Sequence, residues 1–133
     1  MSYVWDDSLK TGIPLIDQQH KQLIDQMSLL VQALKSNQAQ GEIINILDFL
    51  DQYVEQHFSY EEGCMLKYRC PAAANNKTAH QKFIKTLKEV RQEYFKTGVS
   101  LSLVLKVNKE LLEWFIHHIK RIDMQLQPCV VEV

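Results

Sequence analysis

The chain has 133 residues, with 15 Lys and Arg against 16 Asp and Glu, a formal net charge of −1. That is room for one domain of ordinary size, and so even a balance gives no electrostatic case for a nucleic-acid or membrane-surface partner. Hydrophobic residues at 46% and charged residues at 23% exclude a disordered chain, and apolar runs of only a few residues exclude an inserted membrane span.

The first residues, 1–16, read as an N-terminal arm that Trp5, Ile13 and Leu15 would dock. The acidic pair Asp6–Asp7 and the lack of an apolar core make a secretory leader unexpected there. A helical period then places Leu23, Ile24, Met27, Leu30, Val31 and Leu34 on one face, predicting a first helix over about 17–35. Gly41 reads as the break before a second helix over about 42–68, whose stripe runs from Ile43 through Leu50 and Val54 to Met65. The third is expected to open at Pro71, whose missing N–H costs nothing in a first turn, and to stop at Gly98. The fourth runs over about 100–123 with Leu103, Val107, Leu111 and Phe115, and Pro128 stops much continuation into the tail, 124–133.

Four amphipathic helices with short connections, and no competing strand pattern, predict an all-α fold. It is an antiparallel up-down-up-down four-helix bundle over 17–123, within a single domain spanning 1–133. Cys64, Cys70 and Cys129 are odd in number and form no C-x-x-C, so reduced thiols and a cytoplasmic setting are expected. A disulfide between Cys64 and Cys70, or one through the terminal Cys129, stays open.

The informative residues interrupt the apolar stripes. His20 falls between Ile16 and Leu23. His57 and Glu61 form H-x-x-x-E, a spacing of four that stacks both side chains on one helix face. His80 precedes Phe83 by less than a turn, and His118 follows Trp114 by one turn. In an up-down bundle, starts of odd helices and ends of even helices share one end, so these residues and Asp123 converge in one layer. Four imidazoles and two carboxylates buried together are costly unless a cation joins them. Neutral imidazole and ionised carboxylate suit iron or a similar metal, and two carboxylates allow a dinuclear site.

Asp123 is the weaker geometric case. Five residues beyond His118 is about 500°, roughly 140° off the face of an ideal helix, so it needs a π-type or unwound turn to point inward. Otherwise it is a surface carboxylate. His117 is read as a flanking residue, Glu62 as rotated away from Glu61, and the basic runs 67–69 and 120–121 as solvated faces.

The order His20, H57-x-x-x-E61, His80, H118-x-x-x-x-D123 resembles the hemerythrin family, in its bacterial single-domain form. The arm with Trp5 and G12-I13, the I16-D17-Q18-Q19-H20-K21 start and W114-F115-I116-H117-H118-I119 carry the resemblance across essentially the whole chain. It implies a non-haem di-iron centre with an oxo or hydroxo bridge that binds dioxygen reversibly. One iron would take His20 and His57, the other His80 and His118, with Glu61 and Asp123 bridging. Dioxygen would bind at the two-histidine iron, which has an open position. Phe58, Phe115 and Ile119 neighbour the ligands in sequence and are the candidate walls of its pocket, or else ordinary bundle core.

One position departs from the family pattern. Asn76 stands where the family has a further histidine, four residues before His80. Three outcomes are open: weak ligation by the amide oxygen, an open position on the second iron, or loss of that iron. The resemblance therefore implies an oxygen-binding protein for carriage, storage or delivery to an O2-consuming enzyme, expected to be monomeric and not itself an enzyme. An oxidase or peroxidase exploiting Asn76 is one alternative, and a sensor of O2, NO or iron is another.

Overall fold

The structure, a computed structural model, describes Trp5 and residues 7–121. After a short 3-10 turn at Asp7–Leu9 come three long helices, α1 (Pro14–Lys35), α2 (Gln40–Lys67) and α3 (Ala73–Thr97). A fourth rod is built from α4 (Leu101–Lys106), a π-helical stretch (Val107–Glu113) and α5 (Trp114–Arg121). No strand occurs among the described residues, and none of their helices is long and apolar enough to cross a membrane. Each rod packs on its chain neighbour and the fourth closes back on α1, the antiparallel four-helix bundle that the periodicity predicts.

The helix ends follow local chemistry. α1 starts at Pro14, three residues ahead of the expected start, because Pro occupies the first-turn position and Asp17 anchors the segment before it. The Asp17 carboxylate accepts from Thr11 N–H (2.7 Å), the Thr11 hydroxyl (2.8 Å) and Gly12 N–H (3.2 Å). α1 ends through Asn37 in the left-handed region (φ 51°), with Gln38 N–H on Ala33 O and Asn37 N–H on Leu34 O. The break is thus at Asn37, and Gly41 lies inside the first turn of α2. α2 ends the same way through Arg69 (φ 53°), with Cys70 N–H on Met65 O. α3 opens at Ala73, because Pro71 belongs to the preceding turn, and it stops at Gly98 (φ 74°) as expected. Ser100 caps the fourth rod by accepting from Leu103 N–H.

The core divides into two parts. The larger runs from Leu34, Leu50 and Tyr94 to Phe58, Phe83 and Phe115. The smaller, Ile16, Met65, Cys70 and Ala72, caps one end of the bundle. Between them lies the polar layer, because each polar residue sits one turn from an apolar one: Ile16 before His20, Met65 after Glu61, Ala72 before Asn76. At the half-exposed opposite end, Arg91 donates to Asp48 (2.7 Å) and Asp51 (2.5 Å), clipping α3 to α2. A surface pair of this kind contributes no more than about 1 kcal/mol. Cys64 and Cys70 are free thiols. Asp123, Cys129 and the tail 124–133 lie outside the described residues.

Candidate metal centre

The polar layer holds His20 from α1, His57 and Glu61 from α2, Asn76 and His80 from α3 and His118 from α5, all buried. Helix spacing and up-down topology bring His20, His57, Glu61, His80 and His118 to one level as expected, and the bundle places the histidines, with Asn76, around the Glu61 carboxylate. Glu61 is wholly inaccessible, and its two oxygens face opposite ways. Oε2 lies 3.2 Å from His20 Nε2 and 3.7 Å from His57 Nε2. Oε1 lies 3.2 Å from His80 Nε2, and His80 Nε2 lies 3.3 Å from His118 Nε2. Two triads result, His20–His57–Glu61 and Glu61–His80–His118, each offering one ligand atom per residue within 4.8 Å of the others.

Hydrogen bonds behind the rings aim the ligand nitrogens inward. His57 Nδ1–H donates to Gln19 Oε1 at 2.7 Å, which fixes the tautomer and leaves Nε2 with its lone pair toward Glu61. That Nε2 is buried and has no hydrogen-bond partner. Burial, reinforced by the neighbouring His20, pushes the His57 pKa down to about 3, so the ring stays neutral and available as a ligand at neutral pH. His80 Nδ1–H donates to Glu62 Oε2 at 2.8 Å, turning its Nε2 to the inner cluster. A carboxylate or amide oxygen behind a ligating imidazole orients the ring and raises its basicity.

Gln19 and Glu62 are the functional residues that the apolar pattern missed. Glu62 is indeed rotated away from Glu61, but it reaches around to the back of His80. The available signal was adjacency: each sits beside a ligand position in the sequence, and a ligating histidine needs an acceptor behind it.

Aromatic rings hold the imidazoles from the other side. Phe58 stacks on His80 with centroids 3.7 Å apart and planes at 3°. Trp114 stacks on His118 at 4.8 Å and 11°. Phe115 presents its ring to the edges of His20 (5.4 Å) and His57 (6.3 Å). Phe58 and Phe115 therefore touch the candidate ligands, while Ile119 is buried in the larger core. His117 is exposed, as expected for a flanking residue.

Asn76 belongs to this layer and is fully buried. Its Nδ2 donates to Glu61 Oε1 at 3.0 Å and to Met65 Sδ at 3.2 Å, and its Oδ1 has no hydrogen-bond partner.

These donors fit a pair of metal ions. His57 Nε2 is buried without a hydrogen-bond partner, and His118 Nε2–H donates to His80 Nε2 at 3.3 Å, a shared proton whose place a cation would take. Neutral imidazole with shared carboxylate is a donor set suited to iron. Glu61, with one oxygen in each triad, is placed to join the two positions.

Comparison with known proteins agrees with this geometry. A family model described as the hemerythrin HHE cation binding domain matches residues 11–130. The chain is 37% identical over 122 residues to a bacteriohemerythrin of Stenotrophomonas maltophilia, covering 90% of this chain and 76% of that protein. It is 31% identical to a bacteriohemerythrin of Pseudomonas aeruginosa, with the same coverage. A myohemerythrin of Sipunculus nudus is 25% identical, covering 92% of this chain and 89% of that one. The crystal structure of a leucine-to-phenylalanine mutant protein superimposes with a TM-score of 0.84 at 25% identity, over 98% of both chains.

Proposed function

The chain belongs to the hemerythrin family, and from that membership we propose that it holds a non-haem di-iron centre and binds dioxygen reversibly. The observation that supports this most directly is Glu61, one oxygen of which faces His20 and His57 while the other faces His80. In this reading His20 and His57 would hold one iron and His80 and His118 the other, with Glu61 offering one oxygen to each. The family pattern adds Asp123 as a second bridge. Iron held in this way would supply the electrons that reversible oxygen binding needs.

The protein's own work is to orient, insulate and exclude. Gln19 and Glu62 keep Nδ1 of His57 and His80 protonated, so Nε2 of each ring is the ligand atom. Phe58 and Phe115 wall the imidazoles, Ile119 is buried in the same core, and the cluster around Ile16 and Met65 closes the end of the bundle. Apolar packing of this kind keeps water, and the protons it carries, from driving oxidation. The role is carriage, storage or delivery to an O2-consuming enzyme rather than catalysis. The free thiols Cys64 and Cys70 support a reducing setting such as the cytoplasm, in which the chain works as a monomer.

The test is iron content per chain on fresh protein, followed by spectra of the anaerobically reduced form as dioxygen is added and removed. Two irons with a reversible change are expected. One iron or fewer, or a single irreversible oxidation, would overturn the reading.

A further inference from the structure

We propose that Asn76 leaves the second metal position open to a small anion, so that the iron-loaded chain binds two exogenous ligands, one at each position. The proposal rests on the di-iron reading above.

Asn76 lies one turn before His80 on the same face of α3, at the level of the ligands. Its orientation is set by its partners. An ionised carboxylate and a thioether only accept hydrogen bonds, so the atom shared by Glu61 Oε1 and Met65 Sδ is the amide nitrogen. An amide nitrogen with two protons has no lone pair to give a metal. Asn76 is therefore a donor to Glu61 through its nitrogen, and its one lone-pair atom, the buried Oδ1, is the amide atom turned away from Glu61 Oε1 and so supplies no ligand beside that oxygen.

The two positions then have the same donor set among the described residues. Each offers two imidazole nitrogens and one oxygen of Glu61. Two histidines and a carboxylate with open positions are the pattern of iron sites that accept exogenous ligands.

A second observation sets the chemical class. His118, a ligand of the second position alone, is 4% exposed and lines a surface recess of about 260 Å³ with Lys82, Trp114, His117 and Arg121. Lys82 at this recess adds positive charge on the His118 side of the centre, which favours an anion there. One Nδ2–H of Asn76 now points at Met65 Sδ, a weak acceptor, and is the proton a bound anion would claim.

The probe is azide. The full chain is loaded with iron and oxidised, its iron is counted, and azide is titrated calorimetrically with the charge-transfer absorption followed in parallel. Two irons and two azides per chain are expected, falling to two irons and one azide in Asn76→His, where an imidazole fills the open position. Two irons with a single azide in the unsubstituted chain would overturn the proposal and leave the di-iron reading standing. Two azides in an Asn76→His chain holding two irons would overturn it as well. Fewer than two irons would remove the di-iron reading and this inference together, and the iron count, made before azide is added, tells that case apart.

Discussion

His80 Nδ1 and Glu62 Oε2 lie 2.8 Å apart, which ties a buried ligand to a carboxylate one residue outside the ligand stripe. The Glu62 side chain is 25% exposed, so it makes this contact without the desolvation cost that Glu61 carries. In Glu62→Ala the ring loses its acceptor, and its tautomer is no longer fixed. Loss of such a partner lowers metal affinity by about 10–100-fold. We expect chelator competition to strip one iron from Glu62→Ala well before the other. Simultaneous release of both irons at the unsubstituted rate would show that Glu62 has no part in holding the second position.

Glu61 differs in kind, because both triads use it. Glu61→Ala is expected to hold little or no iron at either position, whereas His57→Ala removes a ligand from one triad only. The two variants are separated by iron per chain: near zero for Glu61→Ala, and a residual fraction for His57→Ala. Equal iron in both would mean that Glu61 does not join the positions. Circular dichroism confirms the fold, since Glu61→Ala also relieves the burial of a carboxylate.

Much of this was legible in the residues. Apolar stripes at helical spacing gave four rods, and four histidines with Glu61 at turn spacing gave the polar layer. The ends were less legible. Asn37 and Arg69 adopt positive φ, and neither residue type announces a helix stop as Gly98 does. The π-helical stretch Val107–Glu113 was also hidden, because its apolar residues satisfy an α-helical pattern equally well. It buries the adjacent pair Leu111 and Leu112 and resets the phase before Phe115 and His118. Gln19 and Glu62 were invisible to periodicity because their Cα positions lie off the buried face. Only the chemistry of a ligating imidazole calls for them.

The metal-free protein should be sensitive to acid. His57 is neutral in the fold, its pKa lowered to about 3, while in the unfolded chain it titrates near 6.5. Below pH 6.5 the unfolded state takes up a proton that the folded state refuses, so stability falls as pH falls from about 6.5 toward 3. At pH 5 this one residue costs about 2 kcal/mol, from roughly 1.4 kcal/mol per pH unit. Denaturant midpoints of the metal-free chain at pH 7 and pH 5 measure it. His57→Phe, which cannot titrate, should show a smaller difference, and an equal difference in the two chains would refute the assignment.

One carboxylate ties the arm to α1, beside the packing of Trp5 and Leu9 on the core. Asp17 accepts three hydrogen bonds, from Thr11 N–H, the Thr11 hydroxyl and Gly12 N–H, and Thr11 is fully buried. Asp17→Ala leaves those donors without partners and removes a negative charge from the positive end of α1. Unsatisfied buried donors cost about 1–3 kcal/mol. We expect a thermal midpoint lower by several degrees, on the order of 3 °C per kcal/mol for a domain of this size, while iron content is retained because His20 is placed by the next turn of α1. Asp17→Asn keeps one acceptor oxygen and should lose about half as much. A midpoint for Asp17→Ala equal to that of the unsubstituted chain would show that these bonds do not hold the arm. A parallel loss of iron would show that the arm also positions His20.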